Sequence, residues 1–213
     1  MTRIDRSKYL SALAAVALFS GTPMSPARAA PLDKLIGKSL AVGNLIFSNF
    51  AAPNFVGAGP SNVDVQGVVV TDPITGKQLT GLRFVAPFSQ SPNGGPHEIV
   101  LNVHYLVTDT LGQLQTIAQS INATAAGQAA VYYFTQASPS PGVFSGPMLT
   151  IMDTCIPSGP VFNGSCTSEP VSAPLFTGIT TFYVENQVQL LISGRKGLTG
   201  STTLQEFEVL FGE

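Results

Sequence analysis

Two twelve-residue stretches of this chain alternate so regularly between apolar and polar side chains that they leave little choice of fold. In HEIVLNVHYLVT (97–108) the odd positions Ile99, Leu101, Val103, Tyr105 and Val107 are apolar, with Glu98, Asn102, His104 and Thr108 between them. TFYVENQVQLLI (181–192) places Phe182, Val184, Val188, Leu190 and Ile192 on one side and Glu185, Gln187 and Gln189 on the other. A period of two is that of a β-strand with one face in a core and the other in water, the usual condition of an antiparallel sheet. Strand-like runs also cover 39–50, 62–70, 79–86, 114–123, 129–135, 148–152 and 202–211, the last burying Phe207, Val209 and Phe211. Gly67 marks a bulge in the second of them.

Turn chemistry separates these runs. In TDPITGK, Pro73 presets the backbone and Gly76 supplies a positive φ. Residues 87–96 and 136–147 read as loops, and the Pro-rich stretch from the cysteines to Pro174 as an irregular excursion. Leu32, Leu35 and Ile36 sit at helical spacing in PLDKLIGKSL, but Gly37 limits any helix there to a turn or two. Nine or so short strands with turns between them predict an all-β fold. The architecture expected is an antiparallel two-sheet sandwich or jelly roll, with a short N-terminal helix.

The first residues predict where the chain works. Arg3, Arg6 and Lys8 precede an apolar run from Tyr9 to Phe19, and Gly21, Pro23 and Pro26 lead into Ala27-Arg28-Ala29. This is the pattern of a secretory signal cleaved after Ala29, and the apolar run is far shorter than the roughly 20 residues that span a bilayer. Residues 1–29 are therefore read as a signal peptide and 30–213 as one secreted β-sandwich domain, extracellular or periplasmic. No cysteine follows the cleavage site for lipidation and no apolar tail follows Phe211, so release in soluble form is expected.

Of 10 basic and 12 acidic side chains, the signal holds four and one, leaving six and eleven. With only Lys34, Lys38, Lys77, Arg83, Arg195 and Lys196 spread along the mature chain, no basic stripe exists for phosphates or anionic lipid. Neither nucleic acid nor, after cleavage, a membrane is an expected partner. The two cysteines, Cys155 and Cys166, close a Pro- and Gly-rich loop, CIPSGPVFNGSC, and export favours a disulfide between them. A metal pair would need companion ligands, which the neighbouring sequence does not supply.

Candidate chemistry is sparse. His97 and His104 are an odd number of residues apart on one strand and so point to opposite faces. No G-x-S-x-G elbow occurs. Carboxylate pairs for glycoside cleavage could be drawn from Asp64, Asp72, Glu98, Asp109, Asp153 or Glu185, but sequence spacing does not set their separation. Asp72, Asp109 and Asp153 stand at strand-to-turn transitions, where calcium could be held. Side chains bonded to nearby turn amides explain them more simply, and no cofactor is expected. Tryptophan is absent, so a sugar-stacking surface would have to use Tyr132, Tyr133 or Tyr183, with His104 beside a polar groove.

L-x-V-G-N-x-x-F-S-N-F at 40–50, Gly81-Leu82-Arg83-Phe84, Tyr105-Leu106-Val107-Thr108 and Gln205-Glu206-Phe207 together resemble exported bacterial proteins of the PEP-CTERM type. The resemblance runs from about residue 32 to 211 through short, degenerate motifs. This chain has Asn44-Leu45 where that group often has Asp-Lys, and it shows no Pro-Glu-Pro, apolar span and basic tail after Phe211. The resemblance implies a β-sandwich in the envelope or matrix of a polysaccharide-producing bacterium, and transfers no catalytic residue. The function expected is therefore a non-enzymatic structural, adhesive or matrix-associated role, in contact with extracellular polysaccharide or cell-surface components. A carbohydrate-binding module is the alternative, and a carboxylate hydrolase the remaining enzymatic one.

Overall fold

A computed structural model describes residues 29–72, 75–91, 97–112, 114–139, 148–156, 163–167, 171–192 and 200–212. Residues 1–28, nearly all of the expected signal, lie outside the described residues, as does most of the loop between the cysteines. The chain is all-β. After β1 (Ala30–Pro31) and a single turn of helix, α1 (Leu32–Leu35), come β2 (Leu40–Val42), β3 (Leu45–Val56), β4 (Asp64–Thr71), β5 (Gln78–Gln90) and β6 (His97–Asp109). They are followed by β7 (Thr116–Gly127), β8 (Ala129–Ser138), β9 (Leu149–Cys155), β10 (Asn163–Thr167), β11 (Val171–Pro174), β12 (Thr181–Ile192) and β13 (Gly200–Gly212). They form two antiparallel sheets. The first has the order β1-β4-β5-β13-β7-β10, with β11 also on β7, and the second β2-β3-β6-β12-β8-β9.

Both alternating stretches become neighbours at the centre of the second sheet. β12 pairs with β6 from Thr181↔Thr108 to Ile192↔His97, and on its other edge with β8 from Tyr183↔Ser138 to Ile192↔Ala129. Their apolar positions face the first sheet. Leu101, Val103, Tyr105, Val107, Phe182, Val184, Val188 and Leu190 are all completely buried. Each such side chain contributes about 1.5–3 kcal/mol by leaving water.

Aromatic rings bridge the sheets through the middle of this core. Tyr105 of the second sheet lies 5.6 Å from Phe50 and 6.3 Å from Phe84, and Phe84 stacks on Phe207 at 4.6 Å within the first sheet. Tyr133 then meets Phe207 edge-on at 5.3 Å. Such pairs add about 0.5–1.5 kcal/mol each beyond the area they bury. Gly81 makes the neighbouring strand contact possible: a Cβ there would lie 1.9 Å from the Val209 carbonyl oxygen, so any side chain would force β5 from β13.

Several local expectations change. The helix is one turn long, and it buries Leu32 and Leu35 while Ile36 is 46% exposed. The 39–50 run is a hairpin instead of one strand, turned at Gly43 with φ +59°. Gly67 is no bulge, since β4 and β5 pair without a break from Asp64↔Val85 to Thr71↔Gln78. The irregularity lies between Leu204 and Glu206, where Ala86 and Pro87 of β5 oppose Gln205 alone. A proline has no N–H to donate, so a bulge is where a strand tolerates it, and β5 runs on through Pro87 to Gln90 where a loop was expected. β8 likewise extends to Ser138. The excursion from the cysteines to Pro174 contains the short strands β10 and β11, both laid along β7. Gly76 does take a positive φ, +70°.

Polar residues also occupy core positions. Asn186 falls on the buried side of β12, where its Nδ2 donates to the Tyr105 hydroxyl at 3.0 Å and its Oδ1 accepts from Thr135 Oγ1 at 3.0 Å. The Tyr133 hydroxyl donates to the Glu208 carbonyl oxygen at 3.0 Å, tying the sheets together. Burial pushes the Tyr105 and Tyr133 hydroxyls above the ordinary phenol range, because a phenolate cannot be solvated there. Their stabilising effect is therefore intact below about pH 10 and is lost as pH rises further, at up to about 1.4 kcal/mol per pH unit for each tyrosine. Urea unfolding followed from pH 9 to 12 should show this loss, with the two phenols ionising only as the protein unfolds. Tyr133→Phe should reduce the slope.

Cys155 is buried on β9 at the edge of the second sheet, while Cys166 belongs to β10 at the edge of the first. The Cys166 side chain lies outside the described ones. A bond between the two would clip both sheets at one end of the sandwich as well as close the loop. Intact mass should be lighter by two hydrogens before reduction, and reduction should lower stability by about 3 kcal/mol in the chain-entropy account.

Candidate functional site

The outward face of the second sheet collects the polar side chains that alternate with the core. β12 is at its centre and presents Tyr183, Glu185, Gln187 and Gln189, all half-buried. Across one edge the register sets Glu185 opposite His104 and Gln187 opposite Asn102 on β6. Across the other edge it sets Glu185 opposite Gln136, Gln187 opposite Phe134 and Gln189 opposite Tyr132 on β8. β9 completes the row with Met152 beside Phe134 and Thr154 beside Tyr132.

Glu185 anchors the β6 side. Its Oε1 accepts from Asn102 Nδ2 at 2.8 Å, and His104 Nε2 lies 3.2 Å from the same oxygen. The latter contact falls outside hydrogen-bond geometry. The Tyr183 hydroxyl meets His104 Nδ1 at 2.5 Å, and the two rings pack edge-on at 5.4 Å. Partial burial, followed by the nearby Glu185 carboxylate, raises the Tyr183 pKa from its ordinary value. The result is a connected row, Tyr183–His104–Glu185–Asn102, whose geometry is fixed at each step.

The β8 side is aromatic and amide. The Tyr132 and Phe134 rings are nearly parallel, 12° apart with centroids 6.4 Å from one another. Phe134, Gln136, Glu185, Gln187 and Gln189 line a shallow furrow of about 260 Å³ between β8 and β12. Amides both donate and accept, which matches hydroxyl-bearing ligands, and ring faces suit the C–H faces of sugars.

Of the residues singled out by sequence, Tyr132, Tyr183 and His104 share this face. Tyr133 does not: it is completely buried, because adjacent residues of a strand point to opposite sides. His97 is in β6, and its side chain lies outside the described ones. The furrow's Phe134, Gln136, Gln187 and Gln189 carried no functional weight in the sequence, although the period-two pattern already put the last two on the polar side.

The acids are dispersed. Asp109 is 3% exposed and accepts from Asn44 Nδ2 and the Leu111 and Leu114 amides, so it organises a turn. Asp72 accepts from Thr75 Oγ1 in its own turn. Asp153 is within β9 beside Tyr133 on the inner face, and Asp64 begins β4 of the first sheet. Glu98 shares an outer face with Glu185 but is six residues farther along the strand, about 20 Å away. Glu206 and Glu208 do lie together, on the opposite sheet, where the Arg83 guanidinium holds both. Among the described residues no group of three or more His, Cys, Asp or Glu is placed to hold a metal ion.

No family model matches the chain, and no curated protein does. Among solved structures it is similar to the carbohydrate-binding module TmCBM61, solved in complex with β-1,4-galactotriose. The likeness covers 78% of this chain and 88% of that one, at 9% identity and a TM-score of 0.30. A likeness at that level assigns no ligand to the present chain.

The Asn102–Glu185 bond gives the face a measurable anchor. Asn102 is 6% exposed and donates to a carboxylate, a class of hydrogen bond worth about 1.5–3 kcal/mol. Asn102→Ala should lower unfolding stability by about that amount in urea titration, whereas Gln189→Ala should stay within about 0.5 kcal/mol.

Proposed function

We propose that this chain is an exported, non-catalytic β-sandwich that holds extracellular polysaccharide through the outer face of its second sheet, in the matrix or at the cell surface. The observation that carries this reading is the half-buried row of Tyr132, Phe134, Gln136, Glu185, Gln187 and Gln189 on one continuous face. Aromatic faces beside amides, with no paired acids at hand, suit reversible holding of a hydroxyl-rich chain better than bond cleavage. The N-terminal signal pattern supports the extracellular setting.

Purified residues 30–213 should be retarded in native gels containing secreted bacterial polysaccharide, without release of reducing ends. Tyr132→Ala combined with Phe134→Ala should abolish the retardation while leaving the thermal midpoint within a few degrees. Unretarded migration of the wild-type protein through every polysaccharide tested would overturn the reading.

A further inference from the structure

The six strands of the second sheet contain no lysine and no arginine, and the basic side chain described on its outer face, His104, is already engaged by Tyr183 and Glu185. The first sheet differs, with Arg83, Glu206 and Glu208 clustered on its own outer side. Within the furrow between β8 and β12 the only ionisable group is Glu185, and it is an acid. Its side chain is 14% exposed and is oriented by Asn102 and His104, so it cannot simply swing away from a second negative charge. The remaining lining is Phe134 and three glutamines, which are neutral and can serve hydroxyls as donor or acceptor.

The furrow also has a direction. Glu185, Gln187 and Gln189 are successive outward positions of β12, and Phe134 and Gln136 are successive outward positions of β8. Outward positions recur about every 6.8 Å along a strand, so the β12 rail is about 14 Å long and the β8 rail about 7 Å from Phe134 to Gln136. Tyr132 extends the β8 rail beyond Phe134, opposite Gln189.

Resting on the polysaccharide-binding reading above, we propose that this furrow selects uncharged polysaccharide, bound along the strands between β8 and β12. Glu185 acts as the specificity-determining residue that turns acidic chains away. The physical basis is twofold. A uronate or sulfate entering the furrow would meet a fixed carboxylate in partly desolvated surroundings, where like charges repel far more than in bulk water. It would also give up its own hydration with no lysine or arginine on these strands to replace it. A neutral sugar loses only hydroxyl–water bonds, which the glutamine amides restore.

The test is affinity electrophoresis of residues 30–213 against a panel of bacterial and plant polysaccharides that includes matched pairs, such as hydroxyethyl cellulose with carboxymethyl cellulose and galactan with polygalacturonate. At least one neutral polysaccharide should retard the protein, with its acidic counterpart at least tenfold weaker. Raising NaCl from 50 to 500 mM should leave neutral binding within twofold, because no phosphate- or carboxylate-bound counterions are released. Glu185→Gln, close in shape, should narrow the neutral-to-acidic ratio by severalfold, and Gln189→Lys, at the other end of the β12 rail, should narrow it independently if the first variant misfolds. Equal or tighter binding of the acidic partner, or a ratio unmoved in both folded variants, would overturn the selectivity while leaving polysaccharide binding in place. Retardation by no member of the panel would instead remove the reading on which the selectivity rests.

Discussion

The register of β12 governs both halves of this molecule. Hydrogen-bonded to β6 on one edge and β8 on the other, it sends Phe182, Val184, Asn186, Val188 and Leu190 into the core and Tyr183, Glu185, Gln187 and Gln189 to the surface. A slip of one residue would exchange the two sets, burying a carboxylate and three uncharged polar chains while exposing five core side chains. The cost of that exchange, of the same order as a domain's whole net stability of about 5–15 kcal/mol, is what pins Glu185 beside Asn102 and His104. Core and candidate site are thus two consequences of one pairing.

The core itself combines apolar burial with a few fixed polar links. Phe84, Phe207, Tyr105 and Tyr133 form a ring path from one sheet to the other, and Asn186, Thr135 and the two tyrosine hydroxyls thread hydrogen bonds through the same region. Buried polar groups that find partners cost little, whereas a misplaced one costs its full desolvation. The bonds from Asn186 and Tyr133 therefore discriminate against shifted packings more than they add to overall stability. The Asn186 bonds fix β6, β12 and β8 within the second sheet, and the Tyr133 bond to the Glu208 carbonyl aligns that sheet with the first.

How far the sequence could be read depended on the kind of information each feature needs. Alternation in 97–108 and 181–192 requires only neighbours along the chain, and it led directly to antiparallel sheets and to the outward placement of Glu185, Gln187 and Gln189. Asn186 was hidden, since a polar residue at a core position makes sense only once Tyr105 and Thr135 are known to be beside it. Tyr132 and Tyr133 are both aromatic candidates for the surface in the sequence, although period two allows only one of an adjacent pair to face outward, and it is Tyr133 that goes inside. Phe134 and Gln136 became visible as site residues only when β8 was placed next to β12. The same is true of the missing lysines and arginines: six strands scattered from Leu40 to Ile192 share that property only after the fold has gathered them into one sheet.

The order of strands has a further consequence for how the protein comes into being. β12 and β13, the last two strands in sequence, are central in their sheets, each hydrogen-bonded on both edges. Until the ribosome has made residues 181–212, β6 and β8 have nothing between them, and neither do β5 and β7. The nascent chain is thus barred from completing its fold early, and contacts this distant in sequence are slow to form even afterwards. Placing the keystone strands after the strands that they join keeps either sheet from closing before all of its partners exist.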